Sequence, residues 1–297
     1  MRIYQSSITA DILSKLNSRS PESKINVLRS YRTDGPETLR MIEEKPKNIN
    51  SLILDSGVWA LNQGTLKHKS NVKIYSKFLT RRKHLFNFYF NYDEKFDGDP
   101  LEINWANQIY LEDNGHRPVP VIHSFTKQEI NHFLSFEGYY DKIAIGSTLS
   151  KDPQHLKDVV ELFYTHNFKV HVFAYGSYKR LLGLKAWSTD CSSFARWVSV
   201  GRVIFYSELM KEEVTFSFLP EDRNGNTNDD FIDGHKYKKY NILEEYQDYI
   251  YTNLGLTKND LATETILRTV ANSFYFSSLE KKITERQISD GLVFDTW

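Results

Sequence analysis

Two aspartates stand where apolar runs end, a placement that suits acid–base chemistry. In "SLILDSGVWALNQG", residues 51 to 64, a run suited to a buried strand leads straight into Asp55, Ser56 and Gly57. In "KAWSTDC", residues 185 to 191, a second run reaches Asp190. Polar or small residues end further runs: Asp93 in "LFNFYFNYD", His123 in "VPVIHS", Gly146 and Ser147 in "KIAIGS", Tyr175 and Gly176 in "KVHVFAYGS". Two carboxylates on opposite sides of a sugar suit glycosyl transfer, one attacking the anomeric carbon while the other gives and then takes a proton. Any one of these residues is also what an ordinary turn or helix start uses. As a set they are costly, because carboxylates crowded at one mouth repel one another and lose solvation.

The elements that must position them are apolar, β-branched or aromatic runs at 25–30, 51–56, 85–93, 119–124, 142–147, 169–177, 185–191 and 202–207, eight candidate strands. Several are apolar on both faces, as buried parallel strands are. Between two of them, "SKDPQHLKDVVELFYTHNF" has helical periodicity with Pro153 in its first turn. Strand, helix, strand at this spacing means parallel pairing. Eight such strands in 297 residues favour a (β/α)8 TIM-type barrel over an open doubly wound sheet, two architectures that periodicity alone does not separate. In a barrel all C-terminal strand ends lie on one face, so residues far apart in sequence meet in one pocket. Residues 220 to 240 read as a polar loop or insertion, and about 241 to 297 as a helical C-terminal part. No repeat or linker divides the chain, which reads as a single barrel domain over 1 to 297.

Lys plus Arg and Asp plus Glu balance at 38 each, so any nucleic-acid surface must be a local patch. Cys191 is the only cysteine, which rules out an internal disulfide and any zinc site needing two thiolates from this chain. A reducing cytoplasm is the expected compartment, without membrane association.

Five segments, in order, resemble the tRNA-guanine transglycosylase superfamily. "LDSGVWALNQG" is similar to that family's "DSGGFQ", "NFYFNYDE" to its "FDE" strand, "KIAIGS" to its "AIGG" loop, "HVFAYGS" to its "YLMGVG" strand, and "WSTDCSSFARWVSVGR" to its "FDC…P.R.ARNG" segment. The motif-bearing core runs from about 50 to 206. Without cysteines for the tRNA enzymes' zinc subdomain, the chain resembles the bacteriophage and bacterial branch that inserts 7-deazaguanines into DNA. The resemblance implies a pentosyltransferase that exchanges guanine in DNA for a base such as preQ0, through a covalent aspartyl-glycosyl intermediate, without a cofactor or metal. In a phage it would work in the host cytoplasm. Action on tRNA, or a non-catalytic nucleic-acid-binding barrel, are the alternatives.

On that resemblance Asp190 is the nucleophile and Asp55 the general acid/base. Asp93 reads the base edge, Gly146 and Ser147 approach the base through their backbone, Phe173 packs on it, and His123 stands where the tRNA enzymes often have Gln. Ser56 and Gly57 complete the substrate-binding set. Val58 and Trp59 depart from the family's Gly-Phe, and Ser147 from its second glycine. Phosphate contacts are expected from Lys179 and Arg180 just after a strand end, from Arg81 and Arg82 in "KFLTRRKH", and from Arg196, with "HKYKKY" at 235 to 240 a further basic and aromatic run. A solvated helix face explains such runs equally well. Cys191 is expected to pack rather than react.

Overall fold

A computed structural model of the chain describes residues 1–31, 47–58, 71–96, 98–146, 149, 151–196, 198, 201–217, 242–292 and 294. Eight parallel strands run β1 (Arg2–Ser6), β2 (Ile25–Ser30), β3 (Ile49–Asp55), β4 (Phe88–Tyr89), β5 (Val121–Ile122), β6 (Lys142–Ile145), β7 (Lys169–Val172) and β8 (Ser188–Cys191). Each pairs with its neighbour in sequence, and β1 pairs with β8. The remaining seam, between β4 and β5, is bridged in parallel at Phe90 and Val119. There Val119 N–H donates to Tyr89 O at 2.8 Å and Asn91 N–H to Val119 O at 3.0 Å. The ring is therefore a TIM-type α/β barrel.

Side chains alternate across each strand, and the two faces build two cores. Inside the ring Tyr4, Leu28, Ile53, Phe90, Val119, Val121 and Ala144 pack together with Phe88 and Phe173. Outside it Val27, Leu54, Ile122, Ile145 and Val172 meet the helices through residues such as Leu16, Leu79, Phe133 and Phe163. The helices are α1 (Ala10–Arg19), α2 (Val72–Arg82), α3 (Leu101–Asp113), α4 (Lys127–Leu134), α5 (Pro153–Thr165) and the single turns α6 (Tyr178–Leu181) and α7 (Ser193–Arg196). Pro153 opens α5 as its spacing predicts, with the Asp152 side chain accepting His155 N–H at the cap.

Two strand expectations need correction. The first strand of the barrel is "RIYQS", whose Arg2 and Gln5 hide it from a search for apolar runs. Residues 202–207, expected as a barrel strand, form β9 (Arg202–Ser207), which pairs antiparallel with β10 (Glu212–Ser217) outside the ring. The expected polar loop at 220–240, with its basic run at 235–240, lies outside the described residues.

After the hairpin come α8 (Ile242–Leu254), α9 (Lys258–Thr263) and the 25-residue α10 (Thr265–Ser289). Helix α10 packs on β1, α1 and β9, the position of the eighth barrel helix. Its buried face carries Arg268, Thr269, Asn272, Ser273 and Gln287 among the apolar residues. Ser273 Oγ bonds Gln5 Oε1 at 2.6 Å, and Glu280 accepts Ile3 N–H at 2.6 Å. Asn272 accepts Ile204 N–H at 3.0 Å and donates to Phe194 O at 3.1 Å and Arg202 O at 3.2 Å. Those bonds tie β1, α7 and β9 to one helix, which explains why a strand as polar as β1 is stable there. Asn272→Ala should cost about 3 kcal/mol in urea unfolding, because it strands buried backbone groups as well as opening a cavity; a loss under about 1 kcal/mol would mean that water replaces the side chain.

Candidate active site

Asp55, Ser56, Asp93, Phe96, Val121, His123, Gly146, Phe173, Ala174 and Asp190 line one pocket of about 600 Å³ at the C-terminal ends of the strands. Strand parity explains the convergence. Asp55 follows the inward Ile53 by two residues, His123 follows Val121, and Gly146 follows Ala144. Seven residues expected from the sequence, Asp55, Ser56, Asp93, His123, Gly146, Phe173 and Asp190, thus meet in space.

Their surroundings differ. Asp190 Oδ1 accepts the Ala174 N–H at 2.8 Å and lies 3.6 Å from His171 Nε2. Ala174 holds the left-handed backbone with φ of 56°, a conformation costly for a residue with a Cβ and here used to aim its amide at the carboxylate. Asp93 Oδ1 accepts from Asn91 Nδ2 at 2.9 Å, and its Oδ2 lies 3.2 Å from His123 Nε2. Asp55 Oδ2 takes the Gly57 N–H at 3.1 Å, a turn that the φ of 73° at Gly57 makes possible. Burial pushes the Asp55 carboxyl up to about 7, helped by the charges of Asp190 and Asp93 and opposed by the amides of Gly57 and Ser56.

Gly146 has no room for a side chain, since a Cβ would stand 2.9 Å from His123 Nδ1 and 3.1 Å from Ile122 O. Its amide, expected to meet a ligand, instead donates to Ile122 O at 2.9 Å. Ser147 and Trp59 lie outside the described residues. Cys191 is buried with its thiol pushed up by that burial, and a Cβ on Gly176 would come within 2.5 Å of its Cβ. It packs.

The described basic residues expected to meet phosphate lie in different places. Helix α2 returns from the pocket end of β3 to the start of β4, so Arg81 and Arg82 at its last turn lie at the opposite end of the barrel. Lys179 and Arg180 are exposed on α6, beside the pocket end of β7, with the Arg180 guanidinium 5.5 Å from the Tyr175 ring centre. The first amide of α6 already donates to Glu213 Oε2 at 3.0 Å. Arg196 ends α7, which follows β8. Among the described residues no group of three or more His, Cys, Asp or Glu side chains is arranged to hold a metal ion. Nor, among them, is any helix long and apolar enough to cross a membrane.

Sequence reasoning missed His171, Phe96, Ala174 and the asparagines behind Asp93. The signal was present in "LEINWANQ", where Asn104, Asn107 and Gln108 share one helical face. Such a stripe ordinarily faces water, but here it is buried. Asn104 Oδ1 accepts the amides of Glu94 and Lys95 at 2.9 and 3.1 Å and its Nδ2 donates to Lys95 O at 2.7 Å, fixing the turn between Asp93 and Phe96.

No protein-family model and no curated protein matches the chain. Solved structures match it at 9 to 11% identity. They include a mandelate racemase/muconate lactonizing family protein from Azoarcus sp. EbN1 (TM-score 0.43, 65% of this chain and 52% of that one) and an enolase protein from the Sargasso Sea environmental genome (0.41, 64% and 54%). A third is the N-terminal domain of a putative aldolase from Bacteroides vulgatus (0.43, 98% and 100%). The chain spans about half the length of the first two. At this similarity they say nothing of activity. They do correct the resemblance to the tRNA-guanine transglycosylase superfamily, since the matches carry other names and no family model supports it. Guanine exchange in DNA or tRNA and the 7-deazaguanine substrate fall with it. The physical reason lies in the segments: acids and glycines at the ends of barrel strands answer needs common to such barrels, so five short pieces in order do not single out one family.

The raised Asp55 carboxyl predicts an unusual pH dependence of stability. Folded, it keeps a proton that the unfolded chain releases between about pH 4 and pH 7, so its contribution is full below about pH 4 and is lost as pH rises through 7. The loss is at most about 4 kcal/mol. Asp55→Asn should therefore be more stable than the parent in urea at pH 8, with the advantage shrinking at pH 5; equal differences at both pH values would place the carboxyl near its ordinary value. Gly146→Ala should displace His123 and cost about 1 to 3 kcal/mol, read as a lower melting temperature together with shifted His123 ring resonances.

Proposed function

We propose that this chain is an enzyme of general acid–base chemistry, acting on a small neutral or cationic molecule at the C-terminal mouth of the barrel. The observation that carries this reading is the pair of aspartates, Asp55 and Asp190, lining one pocket in unequal surroundings. Pairs of titrating groups whose environments push them apart mark acid and base assignments. Asp55, with a carboxyl near neutrality, is the proton carrier. Asp190, tied to the Ala174 amide, is the fixed carboxylate that meets positive charge developing on the substrate.

The lining narrows the substrate. Among the described lining residues there are three aspartates and neither lysine nor arginine, so an anionic reacting group is disfavoured. Phe96, Phe173 and Val121 supply apolar wall, and Asp93 beside His123 supplies acceptors for N–H or O–H groups. A planar heterocycle or polyol fits this combination better than a phosphate or carboxylate.

A mixture of neutral and cationic metabolites incubated with the protein in deuterated buffer tests the reading by mass spectrometry. A substrate should be converted or take up deuterium, with Asp55→Asn lowering the rate by roughly 10² to 10⁴. The rate should also fall as pH rises through about 7, where Asp55 loses its proton. Ligands that bind without turnover, or a preference for anions, would overturn it.

A further inference from the structure

His171 has no part in the acid–base reading above, yet it stands against one of the two aspartates. It projects from β7 into the barrel, 1% exposed, with ring centres of Phe173 at 4.7 Å, Phe90 at 4.8 Å and Tyr4 at 6.2 Å. Nδ1 lies 2.8 Å from the buried Ser188 Oγ, and Nε2 faces Asp190 Oδ1 at 3.6 Å with no hydrogen-bond partner of its own. A buried ring nitrogen left in that state, beside a carboxylate and next to a pocket, needs an explanation.

Hydrogen placement follows from the neighbours. If Ser188 gives its hydroxyl hydrogen to Nδ1, the ring's own hydrogen sits on Nε2 and points at the carboxylate. The reverse arrangement leaves the hydroxyl hydrogen without an acceptor and turns a ring lone pair towards a carboxylate oxygen. Burial holds the imidazole below its usual range, against the pull of Asp190, so the ring is neutral at ordinary pH. The titrating groups that face it are Asp190 on β8 and Tyr4 on β1; the Tyr4 hydroxyl is raised by burial and engaged with Ser51 Oγ at 3.0 Å. The other side chains around the ring, Phe90, Phe173 and Ser188, do not titrate.

We propose that His171 is a positioning residue for Asp190: held by Ser188 as the Nε2–H tautomer, it fixes Oδ1 of the carboxylate and turns Oδ2 towards the substrate. At 3.6 Å the contact is longer than a hydrogen bond and acts as an oriented dipole. The bond itself comes from the Ala174 amide at 2.8 Å to the same oxygen. Two donors converging on Oδ1 leave one rotation of the carboxylate favoured. The inference takes its purpose from the acid–base reading of the pocket, but its first test needs no turnover.

Nitrogen-15 spectra of labelled histidine should show His171 neutral and protonated at Nε2 at pH 7 and above. In Asp190→Asn the amide must keep its oxygen on the Ala174 N–H, and so towards Nε2–H, so the tautomer should hold while the Nε2 resonance moves because the facing charge is lost. A ring protonated at Nδ1 in the parent, an Nε2 resonance indifferent to Asp190→Asn, or a ring that titrates like a free imidazole overturns the proposal whether or not a substrate is known. Once turnover is measurable, His171→Phe should lower kcat on the order of 100-fold with KM changed little, as a misplaced catalytic group does. His171→Gln, which keeps an N–H, should recover most of that loss. Equal activity of the Phe and Gln variants, with both folded, would mean that His171 only fills space. An Nε2 resonance that responds to Asp190 in a protein that converts nothing would leave the positioning inference standing and remove the enzyme reading.

Discussion

Asp55, Asp93 and Asp190 share a pocket, and burial together with the charges of Asp190 and Asp93 raises the affinity of Asp55 for a proton. The structure divides the compensation unevenly. Asp93 has the Asn91 amide and the His123 ring, and Asp190 has the Ala174 amide with His171 beyond it. Asp55 has the backbone of its own turn, through Gly57 and Ser56. The least compensated acid takes the proton. Which aspartate can serve as an acid is thus decided by where two loops place their amides, with both carboxylates chemically the same.

Such a division needs a rigid frame, because an amide at 2.8 Å that drifts by an ångström no longer selects one carboxylate over another. Ring closure supplies it on one side and helix α10 on the other. The seam between β4 and β5 rests on short pairing around Phe90 and Val119, next to the turn that carries Asp93. Asn104 and Asn107 reinforce that turn from behind, the latter by donating to Tyr92 O at 2.9 Å. Buried polar groups are costly unless satisfied. Here they are satisfied by the backbone they immobilise, which is a gain in uniqueness as much as in stability.

The barrel and most of its pocket were legible in the sequence because both rest on period-two patterns ending in polar residues. Asp55 and Asp190 announce themselves by interrupting apolar runs. Strand β1 was not legible: its Gln5 is buried through Ser273, a partner 268 residues away, and no local window contains that fact. Residues 202–207 were misplaced for the opposite reason, since "RVIFYS" has every local feature of a core strand and differs only in what it pairs with. His171 and Asn104 hid as residues that usually face water, and their burial depends on tertiary contacts that propensity does not encode.

The same distinction explains why a family resemblance built on strand ends did not hold. A glycine after β3, a small residue after β6 and an acid on β8 are demands of a barrel that binds something at its mouth, whatever that is. Specific chemistry lies in features such short motifs do not carry: a non-glycine residue at positive φ donating to Asp190, a histidine behind that carboxylate, and a pocket whose described lining residues include no cation. The last of these bears most on function. A site whose described residues gather three acids and no lysine or arginine lacks among them the cheapest way of neutralising its own charge, and that arrangement is explained if the substrate, or the charge that develops on it, supplies the positive end.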